Sequence, residues 1–358
     1  MTGSAFTQAR YKIRHEFFKC LCKLVRQTYE DSALNLWKEF RLMAADGSTL
    51  NLPPTKEIQK EFGIYAETGS GTKRCLARIF FIYDPLNDFV IEGQMDKMEK
   101  GEITQLYECL DNIPSSEKDL LILDRNFGHY SKVNEFVKQD RKFCIRLPVK
   151  NSIFARNCMA SPDEDFITRW SPSEKERANT RARGMEPVHH KVRVTKIALP
   201  SGEIELLVSN LFDMDSISIE DLKELYGLRW GVEEGFKNLK PKMKIEQFGC
   251  RKKNGLYQEF YAHILCMNMV ALSASIAQAG IKKKVSHRKY AYKYNWKNAY
   301  RFLRERMVRW LSLKDIRSLL VELLRNIERS ITAIIPDRNF ARDTNALNKR
   351  GRISQYNK

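Results

Sequence analysis

The chain has 358 residues, 43% of them hydrophobic, with 62 Lys and Arg against 44 Asp and Glu for a net charge of +18. That length suits an enzyme core in two or three compact parts, and the hydrophobic share supports a packed interior. No apolar run is read as reaching the eighteen or so residues that span a bilayer, and the start lacks a signal-peptide pattern, so membrane and secreted classes are excluded and a cytoplasmic location is expected.

Residues 8–27 place Ala9, Ile13, Phe17, Leu21, Leu24 and Val25 at helical spacing, predicting an amphipathic helix docked on the body. Strand patterns follow at 40–52, 75–83 and 89–94, the first two separated by a Gly-rich loop at 68–72, and three in succession predict an antiparallel meander. A helix over 97–112 leads to Leu120, Leu121, Ile122 and Leu123, an apolar run that suits a strand covered on both faces and that ends at Asp124. A helix at 131–139 and a strand at 143–147 complete a mixed α/β layer. From 148 to 215 charged, Pro-containing loops alternate with strand pieces at 191–198 and 203–209, which reads as a β-rich insertion. Helical periodicity then dominates 217–240, 256–279, 295–311 and 313–330, before a polar, basic tail expected to be mobile.

The expected parts are therefore a helical amino-terminal segment (1–39), a first core part (40–147), the insertion (148–215), a second core part (216–280), a helical basic region (281–335) and the tail (336–358). The eight cysteines never form the C-x2-C pair that zinc sites favour and are read as buried thiols. His189 and His190, adjacent and without cysteine partners nearby, are read as satisfied histidines. Charge is placed unevenly: residues 237–358 carry 28 Lys and Arg against 8 Asp and Glu, so this stretch holds +20 and the rest −2. Such asymmetry points to a polyanion-binding surface. Arg251, Lys252 and Lys253, the run Lys282 to Lys284, and the interleaved Tyr290, Tyr292, Lys293, Tyr294, Trp296 and Lys297 add stacking surface to charge, although Trp296, Leu303, Met307 and Trp310 share helical spacing that favours packing.

The segment 217–240, opened by a cap at Ser218 and stopped by Pro241, is read as one amphipathic helix. At about 100° per residue Tyr226, Arg229, Glu233, Lys237 and Lys240 share one polar stripe, beside an apolar stripe of Leu225, Leu228, Val232, Phe236 and Leu239. Its Tyr-x2-Arg-x3-Glu-x6-Lys pattern resembles the signature of bacterial insertion-sequence transposases of the insertion-sequence-four type. The likeness extends to Ala45-Asp46-Gly47-Ser48-Thr49-Leu50 and to Leu123-Asp124-Arg125-Asn126-Phe127-Gly128, where that family carries its two catalytic aspartates.

The resemblance implies a ribonuclease-H-like core interrupted by a β-rich insertion between the second aspartate and the glutamate. It implies a DDE transposase that cuts DNA and transfers strands, with Asp46, Asp124 and Glu233 as catalytic and metal-binding residues. Two Mg²⁺ ions, replaceable by Mn²⁺, would be held by these carboxylates, Asp46 bridging; three converging carboxylates repel without a cation, and hard oxygen donors suit it. Tyr226, Arg229 and Lys240 would contact DNA by resemblance, and Lys237 by its place on the stripe. Partners expected are double-stranded DNA, as transposon ends and target, and a second copy in a synaptic homodimer. Family members usually carry an amino-terminal end-binding region, which is expected to be missing here; the alternatives are an inactive DNA-binding or dimerising remnant and a related-fold nuclease. Replacing Arg229 is expected to weaken DNA positioning and to leave metal affinity nearly unchanged.

Overall fold

The computed structural model describes residues 2–67, 71, 73–199, 201–312 and 315–335, so most of the 68–72 loop, the tail from Pro336 and the first residues of the 313–330 helix lie outside the described residues. The amino-terminal helical pattern forms two helices, α1 (Gly3–Tyr11) and α2 (Glu16–Glu30). The bend between them is pinned by Asn254, whose Oδ1 accepts from the His15 backbone N–H (3.0 Å) and whose amide donates to the Ile13 carbonyl (2.8 Å). The buried flank of α2 is only in part the expected one, Val25 being shared with it. Phe18, Cys22, Val25 and Tyr29 pack inward, whereas Ile13, Phe17 and Leu24 face out at 43–59% exposure.

Strand β1 (Arg41–Leu52) is followed by α3 (Lys56–Phe62), the short β2 (Ala66–Glu67), β3 (Lys73–Asp84) and β4 (Phe89–Lys97). β1, β3 and β4 form the antiparallel meander, β3 lying between the other two. After α4 (Glu102–Asp111) comes β5 (Asp119–Leu123), every residue of which is buried. It pairs in parallel with β1 on one side and, beyond α5 (Tyr130–Lys138), with β6 (Lys142–Arg146) on the other. The result is a mixed α/β fold around a mixed sheet. Two cations tie these elements together: Arg41, at the start of β1, holds the Asp119 carboxylate at the start of β5 through Nε (2.6 Å) and Nη2 (2.8 Å), and Arg26 of α2 reaches Glu92 of β4 (2.7 Å).

The 148–215 segment does not stand apart from the sheet. It contributes two helices, α6 (Ile153–Ala160) and α7 (Glu174–Ala182), and three strands, β7 (Asp165–Trp170), β8 (His190–Ala198) and β9 (Ile204–Ser209). β9 pairs antiparallel with β6 at Cys144↔Ser209, and β8 and β7 follow, so the sheet runs β2-β3-β1-β5-β6-β9-β8-β7 with β4 on β3. His190 is buried here with its Nε2 2.7 Å from Asn134 Oδ1, and His189 Nδ1 lies 2.7 Å from Ser171 Oγ, so both are satisfied polar groups. Of the eight free thiols five are buried and Cys22 and Cys266 are half-buried, but Cys20 is exposed, against expectation.

The chain then forms α8 (Ile219–Leu228), α9 (Gly231–Lys237) and α10 (Lys253–Val285), the helix that fills the core on one sheet face. By length and composition α10 is apolar enough to cross a bilayer, which corrects the sequence reading. Its apolar residues are used inside the protein: Phe260, Ile264, Met267, Val270, Ala274 and Ile281 are buried against the sheet and the last helices. Buried Asn268 clamps Val90 of β4, accepting from its N–H and donating to its carbonyl at 2.9 Å each, so a strand edge is covered by a side-chain amide. The basic region ends in β10 (Ala291–Tyr294), α11 (Trp296–Ser312), α12 (Ile316–Arg329) and β11 (Ile331–Ile334), β10 pairing with β11 as an unanticipated two-stranded sheet. Trp296 and Leu303 are buried and Met307 and Trp310 pack against the same cluster.

Candidate active site

Register sets the first two carboxylates side by side. β1 and β5 pair from Arg41↔Asp119 to Ala44↔Ile122. Carried two residues on, that register puts Asp46 next to Asp124, the residue at which β5 ends. Residues in register on neighbouring parallel strands point to the same face, here the face on which Leu42, Leu120 and Ile122 pack against Leu222, Leu225 and Tyr226 of α8. Local bonds hold both acids: Asp46 Oδ1 accepts from the Gly47 N–H (2.8 Å), and Asp124 Oδ1 from the Asn126 N–H (2.9 Å), the turn that stops the strand.

Glu233 arrives from α9. Ser218 opens α8 through a capping box with Asp221, and the fully buried Arg193 anchors the approach by donating to the carbonyls of Leu211 (3.2 Å) and Ile217 (2.7 Å) while paired with Asp165. The expected single helix is interrupted. Around Arg229 and Trp230 the backbone tightens to bonds three residues apart, from Arg229 to Tyr226 (3.1 Å) and from Glu233 to Trp230 (3.1 Å), and the segment ends in a π-helical turn over Asn238–Lys242 containing Pro241. Two close approaches explain this placement. A Cβ on Gly231 would lie 2.4 Å from Pro85 Cβ, and one on Gly235 3.0 Å from the Tyr83 ring, so only glycine lets α9 lie on the turn between β3 and β4.

The side chain at the centre is Arg229. It is 6% exposed, with Nη1 3.9 Å from Asp46 Oδ2 and Nη2 3.7 Å from Glu233 Oε1, and it lies over the rings of Trp230 (4.6 Å) and Tyr226 (5.9 Å). Its Nε is buried without a hydrogen-bond partner. Burial pushes the Asp46 carboxyl up from the ordinary 3.8 to about 6; the nearby charges of Asp124 and Glu102 push the same way, against the Gly47 N–H and Arg229. Burial also raises the Tyr226 hydroxyl, which stays neutral. Lys240 donates to Ser48 Oγ (2.7 Å), two residues along β1 from Asp46. Lys237 is exposed and paired with Glu234.

The structure thus gathers Asp46, Asp124, Arg229 and Glu233, with Tyr226 buried beside Arg229 and Lys240 half-buried against Ser48. Three neighbours went unread in the sequence. Glu102 of α4 lies against Gly47 and is bound to Arg78 (2.9 Å), and nothing in its sequence surroundings signals this. Ser48 holds Lys240. Trp230 is 48% exposed beside the guanidinium, a large apolar surface next to a charged cluster.

Among the described residues, no three His, Cys, Asp or Glu side chains form a ready-made metal site. The donors nevertheless fit a hard divalent cation: they are all carboxylate oxygens, Asp46 is desolvated beside Asp124, and a guanidinium already supplies positive charge between Asp46 and Glu233. Asp46, Asp124 and Glu233 are the carboxylates that would hold such an ion.

Residues 37–269, more than half of the chain, match the family model described as "Transposase DDE domain". No curated protein matches the chain. One solved structure similar to it is the "Cryo-EM structure of piggyBac transposase synaptic complex with hairpin DNA", at 12% identity and a TM-score of 0.42, covering 88% of this chain. The chain spans 63% of the length of that one.

Proposed function

From the premise that the chain belongs to the transposase DDE domain family, we propose that it is a DNA transposase that cuts phosphodiester bonds at the ends of an insertion sequence and joins them to a target. The observation that carries this reading is the juxtaposition of Asp46 and Asp124 just beyond the paired part of β1 and β5, under a helix that brings Glu233 and Arg229 to the same edge. The mixed α/β core is proposed to be ribonuclease-H-like, supported by an antiparallel meander that runs into two parallel strands, with an acid on the first strand and another where the next ends.

Asp46, Asp124 and Glu233 are assigned as the residues that hold two divalent ions, Mg²⁺ or Mn²⁺. When bound, such ions activate the attacking water or 3′-hydroxyl and neutralise charge on the leaving oxygen. The chain's own groups do the rest. Arg229, whose guanidinium faces Asp46 and Glu233, is assigned as a planar two-donor fork for a phosphate, the Tyr226 hydroxyl stays protonated as a donor, and Lys240, steadied by Ser48, adds a point charge. The exposed Lys282 to Lys284 and the stacked pairs Arg288 with Tyr292 (5.0 Å) and Lys289 with Tyr290 (5.4 Å) offer a sequence-tolerant surface for the flanking duplex. Two copies would hold two ends in a synaptic homodimer; the insertion-sequence-four type is assigned from the Tyr226, Arg229, Glu233 and Lys240 spacing, and a bacterial cytoplasmic location goes with that family reading. A Mg²⁺-dependent cleavage and strand-transfer assay on DNA carrying the element's own ends tests the reading: joined products support it, and absence of both nicking and joining with active controls rejects it.

A further inference from the structure

Arg229 does more in this structure than wait for DNA. Its guanidinium faces two of the three proposed metal-binding carboxylates, Asp46 at 3.9 Å and Glu233 at 3.7 Å, in a place where its side chain is 7% exposed. Both distances exceed a hydrogen bond, and among the described residues the guanidinium donates none; Nε is buried and unpartnered. What holds it is charge and the faces of Trp230 and Tyr226. An unpaired buried donor is a cost that a better acceptor would remove.

We propose that Arg229 competes with a divalent cation for Asp46 and Glu233, and that the cation and a DNA phosphate bind cooperatively through it. The proposal rests on the reading of Asp46, Asp124 and Glu233 as the metal-binding set. An ion on those oxygens would sit within a few ångströms of the guanidinium, and like charges at that separation in a partly desolvated site repel strongly. Metal and arginine therefore compete for Asp46 and Glu233. A phosphate diester satisfies the fork through two charge-assisted hydrogen bonds, gives the orphaned Nε a partner and draws the arginine off the carboxylates. Linkage makes the effect reciprocal: phosphate raises metal affinity and metal raises phosphate affinity by the same factor. This replaces the sequence-based expectation that metal affinity is indifferent to Arg229, and it keeps a metal-loaded site from forming far from DNA.

The test is Mn²⁺ binding to the whole chain at pH 8 by titration calorimetry, without and with a saturating short blunt duplex, on the unmutated protein and on Arg229→Gln, with circular dichroism as the folding control. Unmutated protein should bind Mn²⁺ about tenfold tighter with duplex than without. Arg229→Gln should bind it about that much tighter without DNA and gain nothing further from duplex. An equal gain in both proteins, or unchanged or weaker Mn²⁺ binding in Arg229→Gln alone, overturns the proposal. So does the absence of any duplex effect on the unmutated protein, which needs no variant. Asp46→Asn and Glu233→Gln separate the two readings: loss of Mn²⁺ binding in both, with Arg229→Gln unchanged, leaves the metal site standing and removes only the competition. Persistence of Mn²⁺ binding in both removes the metal site and the competition together.

Discussion

Asp46→Asn should make the metal-free protein more stable at neutral pH while removing the carboxylate proposed for chemistry. The folded-state carboxyl of Asp46 is pushed, chiefly by burial, to about 6 from the ordinary 3.8. A raised carboxyl means that the folded chain holds its proton more tightly than the unfolded one, so stability is lost as pH rises from about 4 through 6 and stays lost above that. The gap between about 6 and 3.8 corresponds to about 3 kcal/mol; with the side chain still 25% exposed, about 2 kcal/mol is the expected size. Asparagine keeps an acceptor for the Gly47 N–H and has no charge to desolvate. Urea denaturation in chelator at pH 4 and pH 8 gives the answer as a difference of differences, in which packing effects common to both pH values cancel. Asp46→Asn should gain about 2 kcal/mol on the unmutated protein between those pH values. A difference that is flat or of opposite sign would show that Asp46 is not a strained, desolvated carboxylate, and the electrostatic account of the site would fall.

The same carboxyl makes metal affinity depend on pH: Mn²⁺ binding measured by calorimetry should strengthen as pH rises through about 6 and level off above it, whereas constant affinity from pH 5 to 8 would exclude Asp46 as a ligand. Gly231→Ala forces a Cβ against Pro85 and should cost about 1–3 kcal/mol in urea denaturation; a neutral effect would mean that α9 does not need its contact with the β3–β4 turn. Arg193→Met leaves Asp165 without its buried partner and should cost about 3–5 kcal/mol by the same assay, while a neutral result would deny that Arg193 anchors the approach to α8. DNA affinity, followed by fluorescence anisotropy against salt, should fall with a log–log slope steeper than about −3, as for roughly four neutralised phosphates; a shallow slope would detach the basic carboxy-terminal third from DNA.

What the sequence made legible follows from short-range rules. Period-two patterns and the apolar run before Asp124 sufficed for the meander and the buried strand, because a strand covered on both faces has no other way to be written. The spacing from Tyr226 to Lys240 sufficed to place the acidic and basic groups on one segment. Long-range contacts were not legible. The apolar stripe of α2 does not say which flank meets the core, and Phe17 and Leu24 lost to Phe18 and Tyr29. The insertion joins the central sheet through backbone pairing of β6 with β9, which leaves little mark on side-chain pattern. The tight turn at Arg229 and Trp230 depends on Pro85 and Tyr83, far off in sequence, so the segment reads as one continuous helix and Gly231 and Gly235 give no sign of the contacts they permit. For the same reason Arg229 was read by its chemistry toward DNA and not by its contacts with Asp46 and Glu233.

Whether the three carboxylates carry the chemistry is decided by Mg²⁺-dependent cleavage of end-bearing DNA by Asp46→Asn, Asp124→Asn and Glu233→Gln, with DNA binding measured on the same preparations. Each substitution should lower cleavage on the order of a thousandfold, the several kcal/mol that metal-held charge stabilisation contributes, while DNA binding measured in chelator changes little. Cleavage near the unmutated rate by any one of the three would remove that residue from the site and contradict the account.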